Sequence, residues 1–286
     1  MKRKEFIVFI GPSLLIMILL MVVPLFFTIF LSFQQFSYGI TPKFIGLSNY
    51  KDILINSRFW NATYFTLIYT LITTPIKLVI GLGVAILLTK ITRFRGIFIS
   101  GSMLPFIVAP VVGTMIFSWL FKEPWGFYSQ ILVSLGINIH WFATEWPARW
   151  LLMFHGVWSG VSFVFLVLFA GLQAMPGDSL EAADIDGANR WQRLWYVILP
   201  YLSPLIQFVV LMNIQDSFRL FDSVAIMTRG GPGSATETLM YYNYDLAFGQ
   251  QSLGAGSAVS ILTVIGIFVL MIPSLYKTYK EHKAIK

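Results

Sequence analysis

The chain has 286 residues, of which 57% are hydrophobic and 12% charged, with a net charge of +7 and no cysteine. A water-soluble domain of that balance has too little polar surface to cover itself, so composition excludes an ordinary soluble protein. The missing cysteine excludes disulfides, thiolate metal sites and a cysteine nucleophile.

Six apolar segments are long enough to cross roughly 30 Å of hydrocarbon: residues 6–33, 62–89, 97–121, 150–174, 199–221 and 254–276. They predict an all-α membrane protein of six transmembrane helices, one membrane domain over 1–286 with no separate soluble domain. The first follows Met1-Lys-Arg-Lys, the basic start of a signal peptide. Its apolar run is too long for such a peptide and no small-residue cleavage site follows, so it is expected to remain as helix one. Gln34 to Arg58, with Gly39, Pro42 and Gly46-Leu-Ser-Asn-Tyr50, reads as a hairpin or short helix lying on the membrane. In the second span Lys77 carries an insertion cost of about 2.5–3.5 kcal/mol. A packed polar contact inside the bundle is preferred for it over a place in a substrate path. Pro124 to Thr144 holds too many polar and aromatic residues for a span and reads as interfacial.

Span four contains Gly156-x-x-x-Gly160, and Gly254-x-Gly256 opens span six; both read as close helix contacts, with a substrate-lining Gly160 surface as the sharper alternative for the first. His155 and His140 are single histidines without ligand spacing, so no metal site is expected. After span four comes the loop 175–198. Pro176 and Gly177 end the span, Asp178 or Ser179 is expected to cap a new helix, and Glu181 stands where a capping-box carboxylate reaches back. This short acidic helix runs to Asp186 and stops at Gly187. Trp191, Leu194, Trp195 and Ile198 then recur at i, i+3, i+4 and i+7, an apolar aromatic face for the interface. Acids on a loop otherwise suited to anionic lipid point to a docking protein with a basic groove, against the blander reading of a solvated connector. In span five Asp216, Arg219 and Asp222 fall at i, i+3 and i+6, on one face of a continuous helix, where they could neutralise one another.

Lys and Arg set the orientation. With six spans both termini share a side, and that side carries Lys2, Arg3, Lys4, Lys90, Arg93, Arg95, Arg190, Arg193, Lys277, Lys280, Lys283 and Lys286. The other side has only Lys43, Lys51, Arg58, Lys122, Arg149 and Arg229, so both termini are expected in the cytoplasm. Topology therefore accounts for the positive charge, and no nucleic-acid partner is implied.

Glu181-Ala182-Ala183-x-x-x-Gly187-Ala188, followed by Ile198-x-Leu-Pro200, resembles the EAA loop of binding-protein-dependent ABC importer permeases. Thr228-Arg-Gly-Gly-Pro-Gly233, Tyr244 through Phe248, Gly254 to Ser260 and Gly46-Leu-Ser-Asn-Tyr50 extend the resemblance, which is to the maltose- and glycerol-phosphate-type sugar permeases, over nearly the whole chain. It implies the type I importer permease fold in a prokaryotic inner membrane. It also implies a partner set: a second six-span permease subunit, two cytoplasmic ATP-binding subunits that hold ATP and Mg²⁺, an external solute-binding protein and the surrounding lipid. Glu181, Ala182, Ala183, Asp184, Asp186 and Gly187 would then form the coupling loop. By position in that family, Ser159, Gly160 and Phe163 in span four and Asn213 and Ser217 in span five would line the sugar path; Trp158, whose ring can stack on a sugar face, and Asp216 are counted in the same pathway. The asparagine pair of the maltose protein is missing, which argues against the same ligand.

No Gly-x-x-x-x-Gly-Lys-Ser/Thr occurs, so the chain has no phosphate cradle of its own, and Gly230-Gly-Pro-Gly233 is a lysine-free turn. No catalytic residue and no bound cofactor are expected. The alternative function is an ion-coupled secondary transporter using Asp216, Arg219, Asp222 and Lys77 as a relay. An intramembrane hydrolase built on Ser159 and His155 lacks a second catalytic element.

Overall fold

The structure, a computed structural model, describes residues 3–284, with side chains described for 10–273 and Tyr276. Lys2 and Lys286 lie outside the described residues, as do the side chains of Arg3, Lys4, Lys277, Lys280 and Lys283.

Helix α1 runs from Arg3–Met17 through a wider π-turn at Ile18–Val22 into Val23–Ser32. A two-residue antiparallel ladder joins β1 (Gln34–Gln35) to β2 (Lys43–Phe44), with Gln34 opposite Phe44. Helices α2 (Ser48–Ile55), α3 (Ser57–Lys90), α4 (Arg95–Ile107), α5 (Pro110–Phe121) and α6 (Phe127–Ser134) follow. Next come α7 (Glu145–Gln173), α8 (Gly177–Ile185) and α9 (Arg190–Phe218), then α10 (Leu239–Tyr244) and α11 (Leu253–Ala284). Among the described residues five helices are long and apolar enough to cross a membrane: Ile10–Ser32 of α1, α3, α7, α9 and Leu253–Pro273 of α11.

The expected span 97–121 is not one helix. It breaks into α4 and α5, which meet at 95°, and counts as the sixth span only if the bent pair crosses as one. Val108 and Ala109 are extended, and Pro110 opens α5. Proline at the first helical position has no amide to lose, and its ring disfavours a helical conformation in the residue before it, here the extended Ala109. Continuous hydrophobicity concealed the break because both arms are apolar. The other spans differ at their ends: α3 starts at Ser57, α7 at Glu145, and α9 begins at Arg190 and stops at Phe218. The segment 124–144 forms only the eight-residue α6 and a loop. Both forms expected for 34–58 are present, the ladder and α2.

The chain forms two compact units. In the first, residues up to Trp60 pack with Leu239–Gly266. Here the Gly46-Leu-Ser-Asn-Tyr50 stretch acts as a clasp: Asn49 Nδ2 donates to the carbonyls of Ser32 and Gln34, each at 2.9 Å, and the Tyr50 hydroxyl donates to Ser32 Oγ at 2.7 Å. Gly254 lets this clasp close, since a Cβ there would run into the Gln34 carbonyl. Arg58 pairs with Asp245 at 2.8 Å and lies 5.4 Å from the Tyr242 ring centre.

The second unit comprises Asn61–Thr238 and the chain from Ile267 onward. Its core is a seam between α3, α7 and α9, where Ala85, Leu88, Val164, Phe165, Leu168 and Val209 are all nearly inaccessible. Small residues bring the backbones together: a Cβ on Gly81 would press on Val164, and one on Gly171 would overlap Leu205 and Leu202. In a bilayer such close packing, rather than water exclusion, holds helices together.

Candidate functional site: a polar cavity and a helical loop

The second unit holds a half-open cavity of about 610 Å³, lined by α3, the α4–α5 bend, α7, the end of α9 and the turn after it. All seven residues expected to line a substrate path, Trp158, Ser159, Gly160, Phe163, Asn213, Asp216 and Ser217, stand on its wall.

Face periodicity explains part of this convergence. On α7, positions 155, 156, 159, 160 and 163 recur at intervals of three and four, so one stripe faces the cavity while Leu151, Leu152 and Val164 fill the core. The same holds on α9 for 213, 216 and 217. Two of those polar groups satisfy themselves locally: Asn213 Nδ2 donates to the Val209 carbonyl at 2.9 Å, and the Ser217 hydroxyl to the Asn213 carbonyl at 2.7 Å. The side-chain oxygen of Asn213, Oδ1, is then the acceptor left for a ligand. Phe163 stacks against Phe106 of α4 with ring centres 6.4 Å apart, giving the wall an aromatic strip.

Gly156-x-x-x-Gly160 admits side chains rather than another backbone. A Cβ on Gly156 would collide with the Tyr69 hydroxyl, and one on Gly160 would come within 2.8 Å of Lys77 Cε and 2.9 Å of Nζ. Both partners project from α3. Lys77 is therefore packed inside the bundle, but without the polar contact expected for it, and it lines the cavity as well.

His155 is buried between two hydroxyls. Ser223 Oγ lies 3.0 Å from Nδ1 and Thr114 Oγ1 3.4 Å from Nε2. The Thr114 hydrogen is committed to the Pro110 carbonyl at 2.8 Å. Thr114 can therefore only accept from the ring, which puts the proton on Nε2 and makes Nδ1 the acceptor from Ser223. The histidine ties α5 and α7 to the turn beyond α9, and no group of three metal-ligating side chains exists among the described residues.

The expected one-face arrangement of Asp216, Arg219 and Asp222 is not observed. Helix α9 ends at Phe218, Arg219 is its capping residue with φ −93° and ψ 6°, and Asp222 belongs to a new helical turn leading into Val224–Thr228. All three side chains are exposed to the cavity, and no ion pair joins them among the described residues. A proton relay along a continuous helix face therefore has no structural basis. Beyond them the glycine-rich turn folds back tightly: Thr236 Oγ1 donates to the Gly231 carbonyl at 2.6 Å, Thr238 Oγ1 to Leu220 at 2.6 Å, and Arg149 Nε to Ala235 at 2.9 Å.

Tyr69, Thr114 and Ser223 were not singled out from sequence, and His155 only as a residue without metal-ligand spacing. Their roles depend on contacts between helices far apart in the chain, and the one local clue was the glycine pair that Tyr69 and Lys77 fill.

In the 175–198 loop, α8 starts at Gly177 with Pro176 before it and no side-chain cap, so neither Asp178 nor Ser179 serves as expected and Glu181 makes no capping box. The reason is positional: the proline ends the preceding segment one residue earlier, which places Asp178 already inside the first turn. The capping box lies at the next helix, where Asn189 Oδ1 accepts from the amides of Trp191 and Gln192, and Gln192 Oε1 accepts from the Asn189 amide at 2.7 Å. Gly187 ends α8 as expected, at φ +72°, with the Ala188 amide on the Ala183 carbonyl at 2.9 Å and the Gly187 amide on Asp184 at 3.1 Å. That pair of bonds is a Schellman motif and needs a left-handed residue. Arg193 then reaches back to the Asp184 carboxylate. Ala183 is buried, whereas Glu181, Ala182, Asp184, Asp186 and Gly187 are exposed.

The model of the family "Binding-protein-dependent transport system inner membrane component" matches residues 53–276. The trehalose/maltose transport system permease protein MalF of Thermococcus litoralis is 31% identical over 89% of this chain and 86% of its own length. The arabinooligosaccharides transport system permease protein AraP of Halalkalibacterium halodurans is 34% identical over 95% and 86%. A crystallised bacterial ABC transporter that imports the acidic polysaccharide alginate shares the fold, with a TM-score of 0.83 and 15% identity over 97% of this chain and 96% of that one. With five apolar helices, one bent pair that can make a sixth span, the EAA-type helical turn and these matches together, the chain belongs to the family of inner-membrane permease components of binding-protein-dependent transport systems.

Proposed function

We propose that this permease forms half of the passage for a sugar, or a related polyol or oligosaccharide, in an ATP-driven importer. A second six-span permease subunit completes the passage, and an external binding protein delivers the solute. Two ATP-binding subunits dock at the cytoplasmic face and hold ATP and Mg²⁺, and both termini of this chain lie on that face. The chain performs no covalent chemistry; it transmits motion.

The observation that carries this reading is α8 with its Schellman turn. One residue, Ala183, is turned inward, while the exposed face offers Glu181, Ala182, Asp184 and Asp186 to a partner. A rigid stop at Gly187 and the Asp184–Arg193 pair make α8 move together with the start of α9, which leads directly to Asn213, Asp216 and Ser217 on the cavity wall. A push on α8 thus has a mechanical route to the solute path. The relatives named for trehalose, maltose and arabinooligosaccharides support a sugar as the solute.

The test is mild extraction of the tagged protein from its native membrane, with and without Glu181→Lys combined with Gly187→Pro. An ATP-binding subunit should accompany the wild type and be lost from the variant. A chain that purifies without one, in both forms, contradicts the proposal.

A further inference from the structure

Lys77 is 5% exposed, yet its ammonium has no hydrogen-bond or ion-pair partner among the described residues and lies on the cavity wall. The Tyr69 ring centre is 5.9 Å away, at the outer limit of a cation–π contact, and the Asp216 carboxylate on the same wall attracts the ammonium without forming an ion pair with it. A buried charge normally has a partner or is neutralised. The α7 backbone makes room for this one, since Gly160 is the position whose missing Cβ lets the Lys77 tail lie across the helix into the cavity.

We propose that Lys77 is a direct ligand for the transported solute, donating hydrogen bonds to its hydroxyl or ring oxygens, and that the solute it selects is uncharged. This rests on reading the cavity as the solute's passage. The wall carries two cations, Lys77 and Arg219, and two carboxylates, Asp216 and Asp222. An acidic sugar would gain from Lys77 and Arg219 but lose as much to Asp216 and Asp222, so the balanced wall gives it no net attraction, whereas a neutral polyol can accept from Lys77, donate to the carboxylates and to Asn213 Oδ1, and lay its apolar face on Trp158 or Phe163. Charged donors and acceptors set against hydroxyls make stronger hydrogen bonds than neutral ones and discriminate sharply against an analogue that cannot pair. At about 610 Å³ the cavity lies within the range of small-molecule sites, about 300–1,000 Å³.

The experiment uses the complete complex with its binding protein, trapped with vanadate and ADP, and reads retained solute per trapped ADP. The probes are radiolabelled maltose, trehalose and arabinobiose, with digalacturonate as the acidic counterpart. Because trapped ADP counts only assembled complexes, a folding defect does not enter the ratio. Wild type should retain a neutral sugar and exclude digalacturonate. Lys77→Met should lower the ratio about tenfold or more, the loss expected for a charge-assisted hydrogen bond. Gly160→Ala, which displaces the lysine tail, should lower it too, but add little in the Lys77→Met background. An unchanged ratio in Lys77→Met overturns the role of Lys77 while leaving the import reading intact. Preference of the wild type for digalacturonate overturns the uncharged class. Trapped ADP with no retained probe, for a probe that the binding protein itself binds, overturns the reading of the cavity itself.

Discussion

At the scale of single residues, the cavity wall depends on what two glycines leave out. A Cβ at Gly156 would overlap the Tyr69 hydroxyl and lie 2.7 Å from the ring carbon that carries it. Gly156→Ala should therefore lower the thermal midpoint of the detergent-solubilised complex, by an overpacking cost of about 1–3 kcal/mol. In a Tyr69→Leu background, where the colliding atoms are gone, the same substitution should cost clearly less. Equal costs in the two backgrounds would mean that Tyr69 is not what Gly156 accommodates. The Asp184–Arg193 pair calls for the opposite expectation. Both side chains are substantially exposed, so Asp184→Asn should change stability by no more than about 0.5 kcal/mol, and any larger effect should appear in retention of the ATP-binding subunit.

At the scale of elements, the loop between α7 and α9 is two helical pieces set at a fixed turn by backbone caps. Asn189→Ala removes the acceptor for two amides and should cost about 1 kcal/mol locally, loosening the start of α9. Hydrogen exchange at the amides of Trp191 and Gln192 should quicken, while the α3–α7–α9 seam remains protected. Uniformly faster exchange would show that the turn and the seam are not separate units. Much of this loop was legible beforehand, because Gly187 and the four acids are local signals. The misplaced cap was not, although Asn189-x-x-Gln192 fits the capping pattern as well as Asp178-x-x-Glu181 does. Spans announce themselves by length and apolarity alone, whereas the 95° break between α4 and α5 hides inside one apolar run and is marked only by Pro110. Likewise Asp222 reads as a helix neighbour of Asp216 only if α9 continues past Phe218, and nothing between Phe218 and Asp222 in the sequence declares that it stops. Seven cavity residues were within reach of the sequence, five by family position, Trp158 by its ring and Asp216 by its place among the polar residues of span five. Tyr69, Thr114 and Ser223 were not, since each matters through a partner on a distant helix.

At the scale of the whole molecule, the natural absence of cysteine makes topology directly measurable. Ser179→Cys on α8 should react with an impermeant maleimide only from the cytoplasmic side, and Ser134→Cys at the end of α6 only from outside. Labelling of both from one side would contradict the orientation drawn from the lysines and arginines. The central claim is that this permease moves solute with energy supplied by another protein through α8. Its most direct test is uptake of a labelled neutral disaccharide into proteoliposomes containing the reconstituted complex, with binding protein outside and ATP inside, compared with an imposed proton or sodium gradient and no ATP. Uptake should require ATP, should ignore both gradients, and should be abolished by Glu181→Lys combined with Gly187→Pro. Accumulation driven by an ion gradient without ATP, and surviving that double substitution, would contradict the account.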